Sequence, residues 1–474
     1  MSHDRYDMVV GLEVHVQLRT RTKAFCRCPS SFGDPPNRNT CPVCLGLPGA
    51  LPVLNGRAVE LATRAALALG CTVHERSEFA RKNYFYPDLP KGYQISQFDR
   101  PLATGGVVAV GHRRVGITRI HLEEDAGKSV HDRFAGYTAI DLNRAGVPLI
   151  EIVSEPDIRS SAEAAAYLKA LREILVYADV SDCSMEEGSL RVDANVSARP
   201  RGEPTLRTRT EIKNLNSFAN VERALEMEFA RHCAAYDAGG PVVQETMLYD
   251  AAADAVRPAR SKEESHDYRY FPDPDLPPLV LAPGFIDAVR VALPELPAAR
   301  RARYADAFRV APADAEVLTA DRDVSDYFEA VVATGAPPQI AANWLRGEVL
   351  ATRNAGAGDA AFVAPERLAA LIALVRDGTV SNTAAKAIYR TMLADAASPA
   401  EIARRDGLVQ VGDDDALARW VDEVFAENPD EAARFVAGEA RLRGVLVGLV
   451  MKKSKGRADP RRVNQLVGER GAGR

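Results

Sequence analysis

The stretch that decides the fold is ITRIHLEEDAGKSVHDRFAGYTAIDLNRAGVPLIEIVSEPDI, residues 117–158, in which acids, a lysine, serines and arginines lie between short apolar segments. Residues 117–122 and 147–153 have the composition of strands. Glu151 stands between two isoleucines in the second segment, and an acid within an apolar run is costly to bury unless it is paired or bound to a metal ion. The stretch therefore predicts the floor of a site for phosphate and metal.

A lysine-containing turn within this stretch suggests a second interpretation. Gly127-Lys128-Ser129 resembles the end of a Walker loop, whose backbone surrounds nucleotide phosphates. That motif needs a glycine five positions before Gly127, where this chain has Leu122. The sequence therefore argues against a P-loop, and Lys128 remains a candidate for neutralising phosphate by its charge.

The first strand predicted from the sequence shares this mixture of apolar and charged residues. Residues 11–18, GLEVHVQL, alternate strictly, so that the apolar side chains lie on one face and Glu13, His15 and Gln17 on the other. A half-exposed strand with a solvated polar face explains this segment taken alone. Glu13 and His15 nonetheless point the same way and can share a cation.

Residues 191–197 and 206–213 alternate in the same manner. Their polar faces carry Arg191, Asp193, Asn195, Ser197, Arg207, Arg209, Glu211 and Lys213. Helical periodicity at 56–70, 160–178 and 217–233 provides helices that can cover the apolar faces. We predict an α+β fold in which a mostly antiparallel sheet is backed by helices, and we call its polar face the floor. A sheet whose polar face is merely solvated is the alternative.

The floor contains the groups that metal-assisted phosphoryl transfer needs. Candidate ligands for Mg²⁺ are Glu13, His15, Glu123, Glu124, Glu151 and Asp193. Candidates for binding the phosphates of a nucleotide are Lys128, Arg191, Asn195, Arg209 and Lys213. Histidine is an uncommon ligand for Mg²⁺, so Mn²⁺ remains an alternative. Because Glu123 and Glu124 are adjacent and point to opposite faces of a strand, only one of them is expected to contact the ion.

Four of the seven cysteines fall in two close pairs, Cys26-x-Cys28 and Cys41-x-x-Cys44. Two such pairs favour a tetrahedral zinc ion, because each pair can present two thiolates to one ion. Four protein ligands leave no open coordination position, so this zinc is expected to be structural. The alternative is that these cysteines are small buried residues of a cytosolic protein.

Two proline-broken segments mix aromatic residues with charged ones. Residues 82–97, KNYFYPDLPKGYQISQ, cannot form a long regular element. Their aromatic rings either pack on the domain or form a stacking surface at the mouth of the site. Residues 261–276 form a second such loop, which is expected to return a basic residue such as Arg269 towards the floor.

The rest of the chain reads as helical and divides by composition into an alanine-rich part and a basic end. We predict three domains: residues 1–293 with the floor and the cysteine pairs, a helical domain at 294–405, and a basic helical tail at 406–474 that binds nucleic-acid phosphates. Neither a signal peptide nor an apolar run of membrane-spanning length is present in the sequence. We therefore expect a cytoplasmic protein with no membrane partner.

Seven motifs in chain order resemble one known family. They are GLEVHVQL, KNYFYPDLPKGYQISQFD, IHLEEDAGKS, DLNRAGVPLIEIVSEPD, MEEGSLRVDANVS, EIKNLNSF and DYRYFPDPDL. These segments closely resemble the B subunits of bacterial glutamyl/aspartyl-tRNA amidotransferases. The resemblance runs through nearly the whole chain and includes NWLRGEVL in the helical region.

This resemblance implies an ATP-dependent, kinase-like step that phosphorylates the side-chain carboxylate of Glu or Asp misacylated on tRNA. Ammonia then displaces the phosphate and gives Gln-tRNA(Gln) or Asn-tRNA(Asn). The resemblance also implies a glutamine-synthetase-like cradle domain, a helical domain and a tail that holds the tRNA. By resemblance, the Mg²⁺ ligands are His15, Glu124 and Glu151, with Glu13, Glu123 and Asp193 nearby. The groups expected to take part in catalysis are Glu124, Glu151, Lys128 and Arg191.

The source of ammonia is expected to lie outside this chain. No amidase Ser-Ser-Lys signature is present in the sequence, and Cys183 lacks the setting of a glutaminase nucleophile. This agrees with the separate amidase (A) and small (C) subunits of the family, which form a heterotrimer with the B subunit. Two rival interpretations stay open: an ATP-dependent ligase acting on a free small-molecule carboxylate, and a zinc-bearing RNA-binding subunit whose acids are structural.

Overall fold

The computed structural model describes residues 4–259, 268–410, 413–454 and 456–472. The chain divides into two compact units, Met1–Pro297 and Ala298–Arg474. The division at residue 297 lies four positions beyond the end predicted for the first domain, at residue 293. The predicted loop at 261–276 lies partly outside the described residues.

The first unit contains the sheet that the alternating segments predict. Its strands are β1 (Tyr6–Gln17), β2 (Thr72–Val73), β3 (Arg76–Ser77), β4 (Ala80–Asn83), β5 (Tyr93–Ser96), β6 (Ala103–Thr104), β7 (Val107–Val110), β8 (Arg113–Glu124), β9 (Lys128–Phe134), β10 (Tyr137–Asp141), β11 (Pro148–Ser154), β12 (Leu190–Pro200), β13 (Thr210–Lys213), β14 (Thr246–Asp250), β15 (Ala255–Pro258), β16 (Phe271–Pro272) and β17 (Leu279–Val280). Its helices are α1 (Gly56–Ala68), α2 (Ser161–Tyr177), α3 (Phe218–Asp237) and α4 (Phe285–Val291).

Within the described residues, ten strands form one sheet in the order β15-β14-β13-β12-β1-β11-β8-β6-β2, with β7 paired to β8. All of its pairings are antiparallel except the one between β13 and β14. The sheet is therefore mixed, and mostly antiparallel as predicted. β16, β4 and β5 form a separate three-stranded sheet, to which the proline-broken segment 82–97 contributes.

The apolar face of the large sheet is buried against the helices of the first unit. Leu12, Val14 and Val16 of β1 are at most 1% exposed. They share one hydrophobic core with Leu171 of α2 and Leu225 of α3. Because side chains alternate along a strand, this burial leaves the charged residues of β1 on the other face, which is the floor.

The strand predicted at 206–213 is only half present. β13 begins at Thr210, and both Arg207 and Arg209 precede it as exposed residues. The apolar face of the predicted strand depended on Leu206, which is 52% exposed, and on threonines. This segment therefore offers no continuous apolar stripe to bury, so its alternation does not produce a strand.

The second unit is helical. Its α-helices are α5 (Pro297–Ala307), α6 (Pro312–Leu318), α7 (Arg322–Ala333), α8 (Pro338–Trp344), α9 (Leu350–Thr352), α10 (Pro365–Arg376), α11 (Asn382–Met392), α12 (Pro399–Arg405), α13 (Asp414–Glu427), α14 (Pro429–Val436), α15 (Leu442–Lys453) and α16 (Pro460–Gly471). Two π-helical segments, Leu345–Val349 and Arg353–Ala357, and the 3-10 turn Gly358–Ala361 lie between α8 and α10. Among the described residues, none of the helices combines the length and the apolar character needed to cross a membrane.

Two hydrophobic cores lie within the second unit. One contains residues of α5 to α12, and the other contains residues of α13, α15 and α16. Leu408 and Val409 pack against the first of these cores, and Val409 forms a β-bridge with Val380. The first of these cores therefore extends as far as residue 409, beyond the domain boundary predicted at 405.

Candidate active site

Three titratable side chains lie side by side across three neighbouring strands. Glu151 of β11 is opposite His15 of β1 on one side and opposite His121 of β8 on the other. Residues that are directly opposite in antiparallel strands point to the same face of the sheet. That face is the floor, because the residues that alternate with His15 and Glu151 belong to the hydrophobic core.

Glu151 is the centre of this row. Its Oε2 atom lies 3.4 Å from Nε2 of His15 and 3.5 Å from Nε2 of His121, and its Oε1 atom lies 3.6 Å from Nη2 of Arg119. The side chain of Glu151 is 5% exposed. Glu151, whose burial was expected to be costly, therefore has basic groups on both sides, and these offset the loss of solvation.

Glu123 joins the row from β8, two residues after His121. Its Oε1 atom lies 3.1 Å from Nε2 of His121 and accepts a hydrogen bond of 2.6 Å from Oγ of Ser96. Its Oε2 atom accepts a hydrogen bond of 3.0 Å from Nε2 of Gln94. Because Ser96 and Gln94 both lie on β5, the small sheet fixes the orientation of this carboxylate.

Two overlapping groups on the floor have the donor atoms of a cation site. His15, Glu123 and Glu151 each place one donor atom within 4.8 Å of the other two. Glu13, His15 and Asp193 do the same, so His15 belongs to both groups. Carboxylate oxygens suit Mg²⁺ and Mn²⁺, and an imidazole nitrogen is the donor that favours Mn²⁺ of the two.

Glu124 points away from the floor, as alternation along β8 requires. Its carboxylate pairs with Nζ of Lys91 and accepts a hydrogen bond of 3.0 Å from the backbone N–H of Ile95. Its side chain is 3% exposed and lines a cavity beside Cys44. Of the two adjacent acids, the structure therefore brings Glu123 to His15, and the expectation that Glu124 shares a cation with His15 and Glu151 does not fit this geometry.

The charges on the floor are mutually dependent. Burial alone would raise the pKa of Glu151, but His121 and His15 outweigh burial and lower it. The pKa of Glu123 is likewise lowered, because His121 outweighs burial. The pKa of His15 is raised, since its interaction with Glu151 outweighs the opposing effect of burial. The pKa of Glu13 is raised by burial and by the charge of Glu151. The histidines therefore favour the ionised form of Glu123 and Glu151, which is the form that binds a cation.

The two cysteine pairs come together in one cluster. The Sγ atoms of Cys26, Cys28, Cys41 and Cys44 all lie within 4.8 Å of one another, and those of Cys41 and Cys44 are 3.9 Å apart. Thiolates around a tetrahedral zinc ion are about 3.8 Å apart, given Zn–S bonds of about 2.3 Å. The pKa of Cys44 is lowered to about 5, chiefly by a hydrogen bond from Cys26 and further by the charge of Lys23. The four thiols therefore fit a single metal ion.

Comparison with known proteins identifies the family of the chain. The profile of the GatB/GatE catalytic domain matches residues 8–287, and that of the GatB domain matches residues 326–470. The chain belongs to the GatB family.

Full-length relatives of this GatB-family chain carry one name, which describes them as the B subunit of aspartyl/glutamyl-tRNA(Asn/Gln) amidotransferase. The relative from Solidesulfovibrio magneticus is 53% identical over 98% of this chain and 98% of its own length. Those from Prosthecochloris aestuarii and Geobacter sulfurreducens are each 52% identical over 98% of this chain, covering 97% and 98% of the relative. The resemblance seen in the seven motifs therefore extends over nearly the whole chain.

Two basic residues at the floor of this GatB-family chain were not predicted from the sequence. Arg119 precedes His121 by two positions on β8, and its side chain reaches Glu151. Lys82 of β4 comes from the small sheet, and the charges of Glu123 and Glu151 raise its pKa against the effect of burial. The alternation of Arg119, His121 and Glu123 along β8 could have revealed the first, whereas Lys82 required the tertiary structure.

The predicted phosphate-binding residues occupy different surroundings. Nζ of Lys213 lies 2.8 Å from Asp193 and 3.1 Å from Glu211. Nη2 of Arg191 lies 2.9 Å from the buried carboxylate of Asp125. Both cations are therefore at the floor, but each is already paired with an acid.

The other three predicted phosphate-binding residues are less constrained. Asn195 lies on the floor face of β12 and is half-buried. Lys128 begins β9 and is exposed, as is Arg209 in the loop before β13. Asn195 is therefore at the floor. Lys128, at the start of a strand, and Arg209, in a loop, lie outside the row of acids.

Tyr268 of the second proline-broken segment lies beside Lys82, and Tyr270 of the same segment contacts Phe98, which follows the first segment. The Nζ atom of Lys82 is 5.0 Å from the ring centre of Tyr268. Tyr270 stacks on Phe98, with 4.1 Å between ring centres and an angle of 8° between the planes. Burial and the charges of Glu123 and Glu151 help to raise the pKa of Tyr270 to about 12. The aromatic residues therefore border the floor.

Proposed function

We propose that this GatB-family chain is the component of a tRNA-dependent amidotransferase that phosphorylates the side-chain carboxylate of Glu-tRNA(Gln) or Asp-tRNA(Asn). Ammonia then displaces the phosphate, so that Gln-tRNA(Gln) or Asn-tRNA(Asn) is formed. The observation that carries the proposal is the convergence of His15, Glu123 and Glu151 on one face of the sheet. The names of the full-length relatives support the same reaction class, an ATP-dependent carbon–nitrogen ligase.

Each acid on the floor has a role in this proposal. His15, Glu123 and Glu151 hold a divalent cation, with Glu13 and Asp193 close enough to hold a second cation or its water. When bound, Mg²⁺ or Mn²⁺ neutralises negative charge on the phosphoryl group that is transferred. We assign Glu124 a structural role, as the partner of Lys91, and do not include it among the metal ligands.

Cations around the acids bind the phosphates of ATP. Arg119 and Lys82 lie nearest to Glu151 and Glu123, and we assign them to the transferring group. Lys213 and Arg191 neutralise the remaining phosphates, which requires them to exchange an acid partner for the nucleotide. Asn195 is placed to donate a hydrogen bond, and Lys128 and Arg209 contact the nucleotide only if their segments move.

The cysteine cluster has a separate, structural role in the proposal. Four thiols with this spacing bind Zn²⁺ without an open position, so the ion stabilises the fold and takes no part in catalysis. The mostly antiparallel sheet with its polar floor is consistent with a glutamine-synthetase-like cradle. A cytoplasmic location follows from a role in translation.

The partners of the proposed reaction are misacylated tRNA and two further proteins, the amidase (A) and small (C) subunits, in a heterotrimeric complex. The word "subunit" in the names of the relatives supports an assembly of several chains. We assign ammonia production to the amidase and tRNA binding to the tail. Exposed cations of the tail that have no acid partner within the described residues, such as Lys452 and Arg461, support the second assignment.

The deciding experiment measures ATP hydrolysis by the assembled complex with each misacylated tRNA in turn. We expect Glu-tRNA(Gln), Asp-tRNA(Asn) or both to stimulate ATP hydrolysis, and phosphate release to accompany amide formation. Equal stimulation by free glutamate would overturn the tRNA-dependent reaction in favour of a ligase for small carboxylates. Full amidation activity after Glu151→Gln would instead favour an RNA-binding subunit whose acids are structural.

A further inference from the structure

A cavity lined by arginines lies at the end of β1 that is remote from His15. Arg113 of β8, Arg159 before α2 and Arg201 after β12 all line it, and its volume is about 520 Å³. Asp7, which also lines the cavity, is eight residues from His15 along β1. At about 3.3 Å per residue, this separation is roughly 26 Å. The cavity is therefore distinct from the site of the proposed reaction.

Arg159 is held in place without a carboxylate partner. Its Nη1 atom donates hydrogen bonds to the carbonyl oxygens of Pro156 and Ile158, at 2.6 and 3.0 Å. Among the described residues it forms no ion pair, and two further arginines lie close to it. Burial lowers the pKa of Arg159, and repulsion from Arg199 and Arg113 lowers it further. The guanidinium is thus fixed by backbone groups, close to two other arginines and, with a smaller effect on its pKa, to Asp157 and Asp7.

The carboxylates at this cavity already have partners. Asp7 lies 3.5 Å from Arg201, and Glu163 lies 2.7 Å from Arg113. Glu226 accepts a hydrogen bond from a serine hydroxyl at the start of α2. None of these acids approaches Arg159 within ion-pair distance in the part of the chain that the structure describes. Asp157 and Asp7 act on Arg159 only through their charges, so the donors of its guanidinium that do not bind the backbone are left for a ligand.

We propose that this cavity binds a phosphate group, carried either by a free nucleotide or by RNA. The planar guanidinium of Arg159 can donate to two oxygens of one phosphate, and Arg201 can close over it from the exposed side. The site is independent of the ATP-dependent step at the floor.

Calorimetric titration of the full chain with inorganic pyrophosphate, in buffer free of divalent cations, tests the proposal. Without such cations the acids of the floor weaken binding of the probe there, and the variants below identify the part of the binding that occurs at the arginine cavity. We expect Arg159→Gln to weaken pyrophosphate binding by about 10-fold or more, because a charge-assisted bidentate contact is lost. Arg114→Gln removes the same charge from an exposed neighbour of Arg113 and should leave the affinity unchanged.

Two further measurements keep the test decisive. Arg201→Gln alters a side chain that is 64% exposed, so it should weaken binding without disturbing the fold. Titration with a short single-stranded RNA that lacks terminal phosphates separates the two sources of phosphate. Loss of RNA binding in Arg159→Gln would assign the cavity to RNA, and loss of pyrophosphate binding alone would assign it to a nucleotide. Unchanged pyrophosphate affinity in both Arg159→Gln and Arg201→Gln, or an equal loss in Arg114→Gln, would overturn the proposal.

Discussion

Glu151 and His15 occupy directly opposite positions on β11 and β1, and their Oε2 and Nε2 atoms are 3.4 Å apart. Glu151 is buried and His15 is half-buried, on a face of the sheet whose other residues are mostly charged. The interaction raises the pKa of His15 and helps to lower that of Glu151, so each side chain favours the charged form of the other. Both residues offer donor atoms that could hold a cation.

The first prediction concerns the central acid. Glu151→Gln removes the charge that the cation and His15 share, while the amide keeps nearly the same shape. We expect ATP hydrolysis by the assembled complex to fall by about 100-fold, equivalent to about 2.7 kcal/mol of activation free energy. Binding of misacylated tRNA, measured separately, should remain close to that of the wild type.

A matched variant distinguishes this effect from a general loss of charge. Glu155→Gln changes an exposed acid one residue beyond the end of β11 and should leave ATP hydrolysis unchanged. A large loss of tRNA binding in Glu151→Gln with normal phosphorylation would contradict the assignment.

The second prediction separates the two adjacent acids of β8. Glu123→Gln should weaken Mn²⁺ binding by about 10- to 100-fold, since a donor next to His15 loses its charge. Glu124→Gln should leave Mn²⁺ affinity unchanged but destabilise the first unit by about 3 kcal/mol, because the buried Lys91 loses its partner. Mn²⁺ binding can be followed by electron paramagnetic resonance and stability by thermal unfolding. Weaker Mn²⁺ binding in Glu124→Gln, with unchanged Mn²⁺ binding in Glu123→Gln, would show that Glu124 and not Glu123 is the ligand.

Glu123 and Glu124 show which side chains of the floor can be predicted from the sequence. Alternation predicted the floor correctly on β1, β11 and β12, because each of these strands has an apolar face that must be buried. On β8, the alternation of Arg119, His121 and Glu123 with apolar residues likewise places Glu123 on the floor, in agreement with the pairing to β11. The resemblance named Glu124 as the ligand instead.

Long-range contacts account for the other differences. Lys82 reaches the floor from a separate sheet, so no local pattern on the floor strands could reveal it. Arg209 was predicted on the floor from alternation that included threonines, which do not require burial. The four cysteines, by contrast, were predicted from spacing alone, because two short pairs can meet with little dependence on the rest of the fold.

The third prediction concerns pH and a buried acid outside the floor. Glu228 on α3 is 1% exposed and interacts with His232, Arg231 and Thr210, which lower its pKa to about 2 against the effect of burial. The ordinary pKa of glutamate, about 4.3, applies to the unfolded chain. Glu228 therefore adds stability that is fully present above about pH 4.3 and is lost as the pH falls towards 2.

Glu228→Gln should accordingly destabilise the protein more at pH 6 than at low pH. We expect the difference in unfolding free energy between variant and wild type to be smaller by about 1 kcal/mol at pH 3.5 than at pH 6. Glu222→Gln on the same helix provides the control and should show no such dependence. Thermal unfolding at the two pH values measures both variants, and a difference independent of pH would contradict the role of this carboxylate.

The fourth prediction concerns the cysteine cluster. Cys26→Ser should lower the zinc content of the purified protein, measured by atomic emission, and reduce its thermal stability. At temperatures where the variant is still folded, its rate of ATP hydrolysis should stay close to that of the wild type. Cys71→Ser changes a buried cysteine outside the cluster and should retain the wild-type zinc content. Wild-type zinc content in Cys26→Ser, or absence of zinc from the wild-type protein, would exclude a zinc site here.

The fifth prediction concerns the tail, whose charges are more evenly balanced than its sequence suggested. Lys453 pairs with Glu423 and Glu427, and Arg462 pairs with Asp414, so acids of α13 neutralise part of the basic end. Truncation after residue 410 preserves the β-bridge at Val409, which truncation at 405 would remove. We expect the shortened chain to bind tRNA more weakly and with a flatter dependence on salt.

Charge reversal locates the contact within the tail. Lys452 and Arg461 are exposed and form no ion pair in the described part of the tail, so they are among the cations available to RNA phosphates. Each phosphate contact contributes about 0.7 to 0.9 to the slope of log affinity against log salt concentration. The double variant Lys452→Glu/Arg461→Glu should therefore reduce that slope by about 1.5. Arg404→Glu, a single reversal on α12, should leave the slope unchanged, and the same reduction per reversed charge in this variant would exclude a specific role for the tail.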